Sequence, residues 1–256
     1  MLAQNKNVVI YGAAGHIGSA VARAFAREGA QVFLAGRTRA GVQRVADAIV
    51  AEGGRAAAAS LDALDGPQIE QHLDAVLRDA GSIDVSFNAV WIRGDLQGTP
   101  LLQMAVDDFV LPVLTGARTH FLTATAAGRH MVRARRGVIL TLSASTVGLS
   151  GRDRVYHRTG GFGSACAAIE DLSRALAGEL GPSGVRVVCL RSNAVPEAWA
   201  SFPPDVRAYM EQGSALGRLP TLREVADAAV LMASDRASAM TGTIANLTCG
   251  SIMDPQ

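Results

Sequence analysis

Apolar residues along this chain follow two alternating rhythms. Short apolar runs at VVIY (8–11), QVFLA (31–35), RAAAASL (55–61), IDVSFN (83–88), GVILTL (137–142), VRVVCL (185–190) and GTIANL (242–247) predict strands. Amphipathic stretches near 17–28, 40–52, 67–80, 104–133, 162–180 and 222–234 predict helices between them. Strands separated by helices of this length need right-handed crossovers and form a parallel sheet covered on both faces. The pattern therefore predicts an α/β chain with a Rossmann-type, doubly wound parallel sheet of about seven strands and helices on both faces. With no linker visible, residues 1–256 read as a single domain. Ligands in such sheets sit beyond the carboxyl ends of the strands, so the residues just after 11, 35, 61, 88, 142 and 190 should line the site.

The first of these ends carries Gly12-Ala13-Ala14-Gly15-His16-Ile17-Gly18, between an apolar strand and a helical run. Glycines are needed there because the backbone turns sharply, approaches a pyrophosphate closely and lets the next helix aim its first N–H groups at the phosphates. Gly12, Ala14, Gly15, His16, Ile17 and Gly18 are thus candidate cofactor-binding residues. The second strand ends in Gly36-Arg37-Thr38-Arg39 with no acid. A carboxylate there would hold a free ribose hydroxyl and repel a 2′-phosphate, whereas a guanidinium suits the phosphate. Arg37 and Thr38 therefore favour NADP(H) over NAD(H), while Arg39 reads as a solvated helix-start residue.

Composition narrows the function classes. A net charge of +1 with scattered basic residues leaves no electrostatic footprint for nucleic acid or an anionic membrane. Cys166, Cys189 and Cys249 are too widely spaced for a zinc site or a redox dithiol, so no metal is expected. A polar start without a secretory pattern, and no apolar run near membrane-span length, predict a soluble cytoplasmic protein.

The segments YGAAGHIG (11–18), LAGR (34–37), LDALD (61–65), IDVSFNAV (83–90), GVILTLSAS (137–145), AIEDLSRALAGELGPSGVRVV (168–188) and GRLPTLREVADAAVLMASDRASAMTG (217–242) together resemble the short-chain dehydrogenase/reductase family over nearly the whole chain. The resemblance implies that Asp62 contacts the adenine and that Asn88 and Ala89 line the cofactor. It also implies a homotetramer, with the 104–133 and 162–180 helices pairing across a two-fold.

The family's chemistry uses Ser, Tyr, Lys and Asn. Tyr exchanges the proton on the carbonyl oxygen, Ser holds that oxygen, and Lys lowers the Tyr pKa and binds the ribose. Here the Tyr-x-x-x-Lys turn reads Phe162-Gly163-Ser164-Ala165-Cys166, and Lys6, the sole lysine, lies ahead of the first strand. Val113 stands at the helix Asn, Ser192-Asn193 at the Pro-Gly after the sixth strand, His16 at a usual glycine, and Glu197 near an expected threonine. A carboxylate near cofactor phosphates is unfavourable unless it points away or is neutralised.

Tyr156 follows Ser143 by the family's usual interval but is expected in a loop ahead of the helix, beside His157 and Arg158. Ser143, Ser145, Tyr156 and Arg158 form the candidate catalytic set, with a surface tyrosine in a charged loop as the alternative. Trp91 and Trp199 wall an apolar substrate pocket or serve the core, and His120 is a packing or interface residue. Three functions follow: an NADP(H)-dependent oxidoreductase on a hydrophobic ketone or alcohol with an atypical active site; a non-redox lyase, dehydratase or cyclase on the same scaffold; or an NADP(H)-binding sensor without catalysis.

Overall fold

The computed structural model describes residues 1–199 and 203–253. Among these, seven strands, β1 (Asn7–Tyr11), β2 (Gln31–Gly36), β3 (Arg55–Ser60), β4 (Val85–Asn88), β5 (Gly137–Ala144), β6 (Val185–Ser192) and β7 (Thr243–Leu247), form one sheet in the order β3-β2-β1-β4-β5-β6-β7. Every neighbouring pair is parallel. Eight helices connect them: α1 (His16–Arg27), α2 (Arg39–Ala51), α3 (Gly66–Ala80), α4 (Val106–Ala134), α5 (Gly151–His157), α6 (Gly160–Leu180), α7 (Pro204–Gln212) and α8 (Leu222–Ala233). The strand order reverses between β1 and β4, so a crevice opens at their carboxyl ends.

Side chains alternate across a strand, and the strands use both faces. Val8, Ile10, Val32 and Leu34 pack against Val21, Phe25, Val42 and Val230 of α1, α2 and α8. Val9, Tyr11, Phe33 and Ile139 pack against Ile69, Leu73, Met131 and Leu176 of α3, α4 and α6. That double burial explains why the strands read as continuous apolar runs.

Local signals set the helix ends. Asp65 caps α3, accepting from the Gln68 N–H at 3.1 Å, and Thr221 and Glu224 close a reciprocal capping box on α8. Helices α4 and α6 approach very closely: a Cβ on Gly161 would lie 1.9 Å from the Phe109 carbonyl oxygen. That contact fixes the start of α6.

One expectation is corrected here. Tyr156 lies in the short helix α5, not in a loop. Ser150 starts that helix by accepting from the Asp153 N–H at 3.2 Å, and at seven residues it is too short to show helical periodicity.

Candidate active site

The glycine turn is built by close approach. Gly12 has φ +71°, and a Cβ there would meet the Ala89 carbonyl oxygen at 2.5 Å; a Cβ on Gly18 would lie 2.4 Å from the Gly12 carbonyl oxygen. Gly15 caps α1 without a side-chain acceptor, and the Ser19 N–H bonds the Gly15 carbonyl at 2.9 Å. The N–H groups of His16, Ile17 and Gly18 are left for an outside acceptor, as at any uncapped helix start. Buried Asn88 fixes the facing loop: its Oδ1 accepts from the Val90 N–H at 2.9 Å, and its Nδ2 donates to Thr123 Oγ1 at 3.0 Å.

Along the rest of the crevice, Arg37 and Thr38 are exposed, with Thr38 at the cap of α2. Arg39 instead donates to the Ala58 carbonyl at 2.7 Å. Half-buried Asp62 accepts from the Leu64 N–H at 3.0 Å. Glu197 is directed at α8, accepting from the Leu222 N–H at 3.3 Å.

A cavity of about 850 Å³ runs from residues 15–18 past Ala89, Trp91 and Ser145 to Tyr156, Trp199 and Tyr209. It matches the expected line of residues after the first, fourth, fifth and sixth strands. The ends of β2 and β3 lie outside its lining. Both tryptophans of the chain line it.

Two serines at the end of β5 do different things. The Ser143 hydroxyl donates to Glu170 Oε1 at 2.9 Å, and Glu170 receives Nε and Nη2 of Arg191, each at 2.8 Å. Glu170 and Arg191 are 1% and 4% exposed, so this is a buried, bidentate pair. Ser145 donates to Asn193 Oδ1 at 3.0 Å; that oxygen also accepts from the Ala194 N–H at 2.8 Å, and Asn193 Nδ2 donates to Ser251 Oγ at 3.0 Å. A hydrogen bond to a charged group is worth about 1.5–3 kcal/mol against about 1 for a neutral pair. Ser145 is therefore the serine whose proton turns more readily toward a ligand.

Phe162 and Cys166, the residues expected at the family's Tyr and Lys positions, both lie on α6. Phe162 lines the cavity, and Cys166 is fully buried behind it, its thiol pushed up to about 11 by burial. A thiol in that state is protonated and inert at neutral pH. His120 is buried; its Nδ1 lies 3.0 Å from the Gly116 carbonyl, and its Nε2 accepts from the Leu142 N–H at 3.4 Å. It joins α4 to β5 as a packing residue.

Tyr156 lines the cavity, stacked on Tyr209 with ring centres 3.8 Å apart and edge-on to His157 at 5.1 Å. Burial lowers the His157 pKa, so its imidazole leans toward the neutral form. Arg158 takes a left-handed backbone (φ 45°) and directs its guanidinium to the Gly98 carbonyl at 3.5 Å. The structure thus brings Ser143, Ser145 and Tyr156 to one cavity and leaves Arg158 outside its lining. Sequence reasoning missed Glu170, Arg191 and the anchoring role of Asn193. Asn193 stood out only as a departure from a Pro-Gly turn, and the other two carried no local signal.

A family profile described as Enoyl-(Acyl carrier protein) reductase matches residues 12–251. The chain belongs to the short-chain dehydrogenase/reductase family. Within that family it is 28% identical to a 3-oxoacyl-[acyl-carrier-protein] reductase of Chlamydia muridarum over 96% of this chain and 97% of that one. It is 33% identical to a cis-4-hydroxycyclohexanecarboxylate dehydrogenase of Sinomonas cyclohexanicum over 92% of each. A solved short-chain type dehydrogenase/reductase from Mycobacterium marinum superposes with a TM-score of 0.86 at 29% identity, covering 97% of this chain and 96% of that one. These relatives make a short-chain dehydrogenase/reductase-type oxidoreductase the coarse reading of the chain. Among the described residues, no helix is long and apolar enough to cross a membrane.

Proposed function

We propose that the protein is an NADP(H)-dependent oxidoreductase that interconverts a hydrophobic ketone and its alcohol through an atypical active site. The observation that carries this reading is the continuity of the glycine cradle at residues 15–18 with an apolar, aromatic-walled chamber in a single cavity. The cradle fits a dinucleotide, because Gly12 and Gly18 admit no Cβ and the first turn of α1 lacks a side-chain cap. Arg37, without an acid beside it, supports the 2′-phosphorylated form, and Asp62, Asn88 and Ala89 are assigned to the adenine and nicotinamide ends.

The nicotinamide, when bound, would supply or accept the hydride. Ser145, presented by Asn193, donates to the substrate oxygen by exchanging one neutral hydrogen bond for another. Tyr156 is the phenol of the candidate set on the cavity wall and is assigned the proton transfer, with His157 beside it in place of the absent lysine. Ser143 stabilises the wall through Glu170. A homotetramer is supported by Leu111, Leu114 and Phe121, which lie exposed along α4. A reducing, cytoplasmic setting suits the free thiols of Cys166, Cys189 and Cys249.

The decisive test is transfer of deuterium from 4-deuterated NADPH to a panel of apolar ketones. Label in the alcohol product supports the reading, and micromolar NADPH binding with no transfer across the panel removes it. A second reading, an NADP(H)-binding sensor, is favoured by the inert Phe162 and Cys166. It predicts that Ser145→Ala and Tyr156→Phe leave the cellular phenotype unchanged.

A further inference from the structure

The lining of the chamber is distinctive in charge as well as in shape. Trp91, Tyr156, Phe162, Trp199 and Tyr209 all line it, and among its described lining residues there is no lysine or arginine. Two carboxylates, Asp95 and Asp153, are present and already engaged. Arg93 holds Asp95 through Nε at 2.9 Å and Nη2 at 3.0 Å. Asp153 accepts from Ser150 at 2.6 Å and from the Tyr209 hydroxyl at 2.9 Å. These bonds hold both carboxyl groups below the usual carboxylate range, so both are ionised at neutral pH.

An anionic ligand entering this chamber would give up water and meet two ionised carboxylates, with no lysine or arginine in the described lining to hold it and with Arg93 already engaged by Asp95. A cationic ligand would compete with Arg93 for Asp95 and with Arg152, whose guanidinium lies 5.1 Å from the Tyr209 ring centre. A neutral ligand meets neither obstacle. Rigid aromatic walls gain most from a ligand that is itself rigid, since ring faces and edges pack without loss of rotor freedom, whereas a flexible chain loses entropy at every bond it orders.

We propose that the substrate is an uncharged, ring-bearing ketone or alcohol seated against Trp91, Trp199 and Tyr156, as distinct from a straight-chain, carboxylate-bearing or phosphate-carried one. The proposal rests on the oxidoreductase reading for its carbonyl, though not for its binding.

Both tryptophans line the chamber, so the intrinsic fluorescence of the full chain without nucleotide follows its filling. Titration with 2-tetralone, corrected against free N-acetyltryptophanamide, is expected to give saturable quenching. A ring-carboxylated 2-tetralone, straight-chain 2-nonanone and acetoacetyl-coenzyme A are expected to bind at least tenfold more weakly. Half-exposed Trp91→Ala should weaken 2-tetralone at least fivefold with an unchanged Tm. Absence of saturable quenching by 2-tetralone overturns the proposal, as does equal or tighter binding of any of the other three probes. Adding NADPH separates the two claims: 2-tetralone that binds without being reduced upholds the substrate class and counts against the redox reading. Reduction of 2-nonanone by a protein that does not bind 2-tetralone upholds the redox reading and overturns the class.

Discussion

The hydroxyl of Ser143 lies 2.9 Å from Glu170 Oε1, to which it donates, and the same carboxylate holds Arg191 with two further bonds. Ser143, at the end of β5 and in the candidate catalytic set, is here part of a buried charge cluster. Ser145, two residues on, instead bonds the neutral amide of Asn193. The two hydroxyls should therefore respond oppositely to removal. Ser143→Ala leaves one site on a buried carboxylate unfilled and should cost about 1–3 kcal/mol of stability, with kcat close to the parent. Ser145→Ala removes the donor to the reacting oxygen and should lower kcat about 100-fold, with Tm nearly unchanged. Thermal melts and steady-state rates on both variants check the assignment; the reverse pattern would return the catalytic role to Ser143.

The Glu170–Arg191 pair is the second test. Breaking a buried ion pair leaves an uncompensated charge, at a cost of about 3–5 kcal/mol. Arg191→Met should approach that loss in denaturant melts. Glu170→Gln with Arg191→Met should recover much of it, because no buried charge remains. Equal instability in the single and double variants would show that shape, not charge, is what the cluster supplies.

Much of this architecture was readable beforehand, and the reasons are local. The runs around Val8, Val32, Val138 and Val187 are apolar at successive positions because both faces of the sheet are covered, and Gly12 and Gly18 stand where any Cβ would strike a carbonyl. Helix α5 was not readable, since about two turns started by Ser150 leave no period to detect. Nor were the partners of the serines: Glu170 lies 27 residues from Ser143 and Asn193 lies 48 from Ser145, and only the parallel crossovers bring them together. Arg158 looked like a ready cation for Tyr156 from its place in the chain. The left-handed turn that ends α5 carries it to Gly98 instead.

Two histidines make stability fall in mild acid. Burial lowers the pKa of His120 and of His72 from 6.5 to about 4. Between those values the unfolded chain binds protons that the folded chain does not, so stability rises with pH there. Their contribution is fully present above pH 6.5 and is lost as pH falls toward 4. For His72 the buried Nε2 has no hydrogen-bond partner among the described residues, and the ring lies edge-on to Tyr11 at 6.4 Å. His72→Phe should thus keep the packing and remove one proton-uptake site. Tm measured from pH 4 to pH 7.5 is expected to fall less steeply on acidification in that variant, with no loss at pH 7.5. An unchanged slope would show that His72 is not a source of the acid lability.

Cofactor choice turns on Arg37. Its exposed guanidinium follows the end of β2, whereas Arg39 is drawn to the Ala58 carbonyl and cannot substitute for it without giving up that bond. Replacing the cation with a carboxylate changes both signs at once, removing the partner of a 2′-phosphate and adding an acceptor for a free ribose hydroxyl. Arg37→Asp should raise the Kd for NADPH about 100-fold and lower that for NADH several-fold, the first change equivalent to about 2.7 kcal/mol. Arg39→Ala should move the NADPH affinity less than about threefold, within the range of an exposed charge. Titrating both nucleotides into both variants decides between the two arginines. If Arg39→Ala loses NADPH while Arg37→Asp retains it, the phosphate lies at the first residue of α2.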